Sequence, residues 1–281
     1  MELGIVAQKG NERATSLAGQ VAEALEADGV GVHLDQATAA AIGRDGVPTA
    51  ELGGTPLVVS VGGDGTFLYT ARHVGSTPIL GVNLGEVGFL NAVPPGDAVD
   101  VIREEVAHVR EDGAPRSRTV PRLVAAGGEW SLAPALNEIG VFGPQRGRGH
   151  GLEVTVQVDG EPFRSVHADG VIVSTPTGST AYNLAEGGPL VHPAVDALIV
   201  TLMTPREPAP PLVVELHANV QLRADGAPSA VVASDGSART SVDTPCELEV
   251  TVHDKPARIA GPPSDFFRAL EKLEPKAGDG D

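Results

Sequence analysis

A chain of 281 residues holds one large domain or two ordinary ones, and either buries an ample core. Its 37 acidic against 20 basic residues give a net charge of −17, and only Lys9, Lys255, Lys272 and Lys276 are lysine. That balance argues against nucleic acid and anionic membrane as partners, because phosphate-rich surfaces demand a basic face. With 3% aromatic residues it reads as adaptation to a salt-rich cytosol, where charge repulsion is screened, the alternative being an ordinary acidic enzyme. One cysteine, Cys246, excludes an internal disulfide and fits a reducing compartment. No signal peptide opens the chain and no apolar run approaches the roughly 20 residues of a membrane span, so the expected location is cytoplasmic.

Leu3 to Ala7 reads as a strand, and Ala14 to Ala27 as a helix with Leu17, Val21, Ala24 and Leu25 at helical spacing. A strand over Val30 to Leu34 and a short helix over Thr38 to Ile42 follow. Leu57 to Val61 is apolar on both faces, as in a strand buried within a parallel sheet, and it breaks into Gly62-Gly63-Asp64-Gly65-Thr66 before a helix that runs from near Thr66 to about Val74. A strand over Ile79 to Val82 and a helix from Pro95 through Val109 complete the series. This alternation predicts an α/β, doubly wound nucleotide-binding domain over residues 1–115. Beyond Arg116 closely spaced strands with period-two alternation, beginning with Arg118 to Ala125, predict a β-rich domain over residues 116–261. Ser264 to Leu273 reads as a terminal amphipathic helix, expected over residues 262–275.

The chemistry gathers in a few stretches. Gly62, Gly63 and Gly65 strip the turn of Cβ atoms, so a phosphate or sugar can approach the main chain at a helix start. A P-loop is excluded, since no G-x-x-x-x-G-K-[ST] run occurs. Asp64 among such amides serves as base, hydroxyl acceptor or Mg²⁺ ligand, or else caps the helix. Asn137-Glu138 can satisfy a ribose diol or a base edge, or be two solvated residues on a strand. Asp169 to Asn183 leads a strand into five hydroxyl residues, suited to a base and ribose, with Tyr182 as a stacking face. Asp235-Gly236 reads as a plain turn by itself. The glycine-rich, basic Gly143 to Gly149 is a mobile hairpin connection or a cationic lip over phosphates.

Taken in order, Gly62 to Thr66, Asn83-Leu84-Gly85 with Gly88-Phe89-Leu90, Asn137-Glu138, Asp169-Gly170, Ser174 to Asn183, Gly187-Gly188-Pro189 and Asp235-Gly236 closely resemble the NAD kinases. The resemblance covers nearly the whole chain. It implies transfer of a phosphate from ATP, or another donor, to the 2′-hydroxyl of the adenosine ribose of NAD, with Mg²⁺ or another divalent cation accompanying the donor. It implies an essential Asp64 at the acceptor ribose and an Asn137-Glu138 pair on the dinucleotide. Asp169 would lie near the base, Thr177, Thr180, Ala181 and Tyr182 would line the adenine and ribose pocket, and Asp235 would lie near the reacting phosphates. Gly62, Gly63, Gly65 and Thr66 count among the binding residues, and no residue is assigned to a resident metal. The family fold carries a C-terminal helix that returns to the first domain, and its members are homodimers or homotetramers. His167 departs from the arginine of many bacterial members and leaves open which cation meets the new phosphate. Arg72 is a candidate partner of Asp64, and Arg146 and Arg148 of phosphate. The alternatives are a related glycine-aspartate kinase of another substrate, or an inactive dinucleotide-binding sensor.

Overall fold

A computed structural model describes residues 1–85, 88–144 and 151–273, in two compact units: Met1–Val120 with the segment from Ala257 onward, and Pro121–Pro256. In chain order the first unit contains β1 (Glu2–Ala7), α1 (Glu12–Ala27), β2 (Gly31–Leu34), α2 (Gln36–Ala41), β3 (Val58–Gly62), α3 (Asp64–Val74), β4 (Ile79–Asn83), α4 (Ala98–Asp112) and β5 (Ser117–Val120). The second contains β6 (Leu123–Ala126), β7 (Glu138–Phe142), β8 (Leu152–Val158), β9 (Glu161–Ala168), β10 (Gly170–Ser174), α5 (Tyr182–Ala185), β11 (Ala197–Met203), β12 (Leu212–Glu215), β13 (Val220–Asp225), β14 (Ser229–Ser234), β15 (Ala238–Asp243) and β16 (Cys246–Val252). β17 (Ala257–Ala260) and α6 (Phe266–Leu270) then rejoin the first unit.

The first sheet has the order β2-β1-β3-β4-β17-β5, parallel throughout except for the last strand. Its central strands β1, β3 and β4 are buried on both faces because both are covered. Leu3, Ile5, Val59, Val61 and Leu80 pack with Val21 and Leu25 of α1 and Ile102 and Val106 of α4, whereas α3 buries Phe67, Ala71 and Val74. Helix α1 starts where the Asn11 side chain accepts from the amides of Arg13 and Ala14, and α4 stops at Gly113, which takes a left-handed φ of 79°. Glu105, a carboxylate with 0% of its side chain exposed, is held by the Arg116 amide at 2.8 Å and by the Arg116 guanidinium, which fastens α4 to the segment entering β5.

The second unit packs two antiparallel sheets, β12-β11-β10-β7-β14-β15 and β6-β16-β13-β8-β9, over one core that includes Ile139, Val171, Leu198 and Val232 from the first and Val154, Leu222, Leu248 and Val250 from the second. Several boundaries differ from the sequence-based expectation. The run from Arg118 to Ala125 is not one strand: it breaks at Pro121, and β5 joins the first sheet while β6 joins the second unit. The division therefore falls at Val120 and Ala257 rather than at residues 116 and 261. Strands β9, β15 and β17 carry too little apolar alternation to be read in advance; β9 and β15 are edge strands, and β17 is a four-residue piece ordered by β4 and β5. The terminal helix is shorter than residues 264–273, with the Asp265 side chain as its cap. It does return to the first unit: Phe266 meets the ring of Phe89 at 6.0 Å, and Ser264 Oγ donates to Gly88 O at 2.7 Å.

Candidate functional site

The glycine-aspartate turn stands at the carboxyl end of β3. Chain order places β2 on one side of β1 and β3 on the other, so the loops that leave β1 and β3 diverge there, the position at which open α/β sheets bind ligands. The Gln8 amide donates to Val61 O at 2.8 Å and holds the two strand ends together. The three glycines have different reasons. A Cβ on Gly62 would lie 2.5 Å from Thr66 Oγ1 and 3.0 Å from Gln8 Cβ, so Gly62 serves internal packing. A Cβ on Gly63 or Gly65 would meet nothing within 4 Å, and neither residue has a positive φ. The protein's own packing therefore does not demand glycine at either position.

Asp64 is the first residue of α3, but its side chain does not cap that helix. It reaches the loop after β4, where Oδ2 accepts from the Phe89 amide at 3.1 Å and Oδ1 from the Leu90 and Asn91 amides, both at 3.3 Å. Gly88 permits this approach, since a Cβ there would lie 2.5 Å from Asp64 Oδ1. Asn91, fully buried, extends the clamp by donating from its side-chain amide to Gly62 O at 3.4 Å. Nothing in the sequence near Asn91 announced it. Arg72 sits in the last turn of α3, about 12 Å along the axis from Asp64.

The second unit repeats the device. Asp235, at φ 46° in the turn between β14 and β15, directs its carboxylate at three successive amides, those of Leu136 (3.0 Å), Asn137 (2.7 Å) and Glu138 (3.4 Å). Asp235-Gly236 is thus a turn, as its composition suggests, and also a brace for the entry to β7. Asn137 and Glu138 are not solvated strand residues: they are 9% and 5% exposed. Gly178 packs on Asn137 so closely that a Cβ would lie 2.2 Å from Asn137 O.

On β7, Ile139 and Val141 enter the core, so Glu138, Gly140 and Phe142 share the opposite face. There a cavity of 290 Å³ is lined by Glu138, Gly140, Phe142, Tyr182, Val231 and Arg239, among others. Phe142 and Tyr182 meet edge to face at 6.2 Å. Burial first, and then the negative charge of Asp235, push the Glu138 carboxyl up to about 8. Arg239 was missed by sequence reasoning because β15 looks like an ordinary polar edge strand; only the fold brings it to this cavity.

The hydroxyl run divides in two. Ser174, Thr175 and Ser179 are fully buried, and their hydroxyls bond to main-chain carbonyls: Ser174 to Asn137 O, Thr175 to Leu136 O and Ser179 to Val191 O. Asn183, also fully buried, accepts from Thr201 and donates to Ser179 O and Pro189 O. These four build the loop. Thr177 is also buried, whereas Thr180 and Ala181 are half-buried and Tyr182 is 37% exposed, which makes these last three the members nearest the surface. Asp169 lies at the other end of β10 from Ser174, its main chain tied to Gly143 and Met203. His167 Nδ1 stands 3.0 Å from Glu153 Oε1. Arg146 and Arg148 lie outside the described residues.

Residues 3–109 match the ATP-NAD kinase N-terminal domain and residues 136–261 the ATP-NAD kinase C-terminal domain. The chain is 58% identical to the NAD kinase of Halobacterium salinarum, over 98% of this chain and all of that one, and 51% identical to the NAD kinase of Haloarcula marismortui, over 97% and 100%. A crystal structure of an NAD kinase from Archaeoglobus fulgidus in complex with ATP matches with a TM-score of 0.76 at 27% identity, over 97% of each chain. The chain belongs to the NAD kinase family.

Proposed function

We propose that the chain phosphorylates NAD to NADP by presenting the ribose 2′-hydroxyl to Asp64 while the amides around the β3–α3 turn receive donor phosphates. The observation that carries this reading is the clamped carboxylate. An ionised carboxyl has about four acceptor positions, and among the described residues three are taken by the amides of Phe89, Leu90 and Asn91, one on Oδ2 and two on Oδ1. One position on Oδ2 is left for a substrate hydroxyl. A carboxylate is a weak base for an alcohol, so Asp64 fixes the hydroxyl in line and accepts its proton late, as the P–O bond forms.

ATP, the nucleotide in the Archaeoglobus relative, is the donor and arrives as its Mg²⁺ complex. Gly63 and Gly65 admit phosphate oxygens to the main chain, with Thr66 beside them. The 290 Å³ hollow at Glu138 is at the small end for ligand pockets and takes one nucleoside half of the dinucleotide. Asn137 and Glu138 contact that half, and Thr177, Thr180, Ala181 and Tyr182 line its base and ribose. Asp235 acts through the amides it holds, and Asp169 stands toward the base. The enzyme works as a cytoplasmic homodimer or homotetramer in a salt-rich cytosol, without nucleic acid or membrane. A kinase of another substrate and an inactive sensor are both disfavoured by the family match. Incubation with NAD, ATP and Mg²⁺ in concentrated KCl, followed by assay for NADP, tests the reading; no NADP with any donor at any salt concentration refutes it.

A further inference from the structure

We infer that Glu138 stands in its cavity as a neutral carboxylic acid and binds the nucleoside by donating its proton in a hydrogen bond, to a ring nitrogen or a sugar oxygen. The inference rests on the reading of this cavity as part of the dinucleotide site.

The geometry leaves a carboxylate here without support. Glu138 is 5% exposed, and its Oε2 is buried with no hydrogen-bond partner among the described residues. The nearest donors are spent, since the amides of Leu136, Asn137 and Glu138 all point at Asp235. Ser174, opposite Glu138 on β10, gives its hydroxyl to Asn137 O and Thr175 O. Among the described residues, the charged and titratable groups around Glu138 are Asp235 on the β14–β15 turn, Arg239 on β15 and Tyr182 on α5. Asp235 is a like charge that disfavours ionisation. Arg239 lines the cavity, but its Nε is committed to Gly236 O at 2.7 Å. A buried carboxyl with one oxygen unpartnered among the described residues and a carboxylate beside it keeps its proton at neutral pH, which agrees with the upward displacement described above. A neutral acid offers a donor where an ionised one offers only acceptors. The ligand atom that meets it is therefore an acceptor, and loss of the proton both removes the donor and places negative charge against that acceptor.

Calorimetric titration with NAD between about pH 6.5 and 9.5 tests this, together with Glu138→Gln, which keeps a donor and cannot ionise. Wild-type affinity should hold to near pH 8 and then fall by up to about tenfold per pH unit, with uptake of up to about one proton per NAD bound, read from buffers of different ionisation heat. Glu138→Gln, which cannot ionise, should show neither dependence. Wild-type affinity that is flat or rises above pH 8, or a folded Glu138→Gln that keeps the wild-type pH dependence, overturns the inference. The underlying reading has its own arm: Val231→Trp narrows the cavity from a half-buried position. Undiminished NAD binding by that variant, with its fold verified by melting, moves the dinucleotide elsewhere. The protonation state is still decided without ligand, because the infrared carbonyl band of a protonated carboxyl must be present at neutral pH and missing in Glu138→Gln; its absence from the wild type overturns the inference.

Discussion

Replacing Asp64 with Asn tests the centre of the proposed mechanism, and the structure changes what that substitution means. Asn would be a mild change if Asp64 were a helix cap, since Asn and Asp cap about equally well. Here the carboxylate accepts three amides at 3.1 to 3.3 Å, with both oxygens engaged. An Asn side chain keeps one acceptor oxygen and must turn its NH₂ toward at least one amide, donor against donor. Loss of one charge-assisted bond plus one orphaned amide costs about 2 kcal/mol. For a chain of this size that is a drop in melting temperature of about 4–8 °C. Loss of the charge and of the proton acceptor should lower kcat by about 10²-fold or more. NADP formation, NAD calorimetry and a thermal melt on one preparation separate the two effects. Gly88→Ala is the companion variant, because its Cβ would stand 2.5 Å from Asp64 Oδ1 and push the loop away while the charge remains. A misplacement of this kind should cost up to about 10²-fold in kcat. Near-normal turnover of Asp64→Asn would remove Asp64 from the chemistry, and an unchanged melting temperature would refute the clamp.

Three further outcomes are expected. Gly178→Ala sets a Cβ 2.2 Å from Asn137 O, so it should lower stability by about 1–3 kcal/mol in a chemical denaturation curve and raise KM for NAD. The Glu138 carboxyl is raised from 4.5 to about 8, so its contribution to stability is complete below about pH 4.5 and is lost as pH rises through about 8. Glu138→Gln should therefore gain on wild type by about 2–3 kcal/mol between pH 6 and 8 in urea unfolding, and a constant difference would contradict the burial argument. With a net charge of −17, the melting temperature should climb from low to multimolar KCl as repulsion is screened, and a flat or falling curve counts against salt adaptation.

Where period and turn chemistry are local, the sequence alone was sufficient. Leu57 to Val61 announced a buried parallel strand, Gly62 to Thr66 the turn at its end, and the spacing of Val21, Ala24 and Leu25 a helix that covers the sheet. The residues of the candidate site were nearly all visible as motifs, but what each does depends on partners far along the chain. Asp64 finds its amides at residues 89–91 and Asp235 at residues 136–138. Those contacts turned a suspected helix cap and an ordinary hairpin turn into two braces of the same design. Ser174, Thr175 and Ser179 looked like ligand donors because composition records hydroxyls and not their direction; burial committed them to main-chain carbonyls. Arg239, on a polar edge strand, and Asn91, beside a known motif, carry no local signal, and only strand pairing and loop packing bring them to the cavity and the clamp. The state of Glu138 is tertiary in the same sense. A carboxyl's charge is set by which donors remain after the chain has folded around it, and here Asp235 had already taken them.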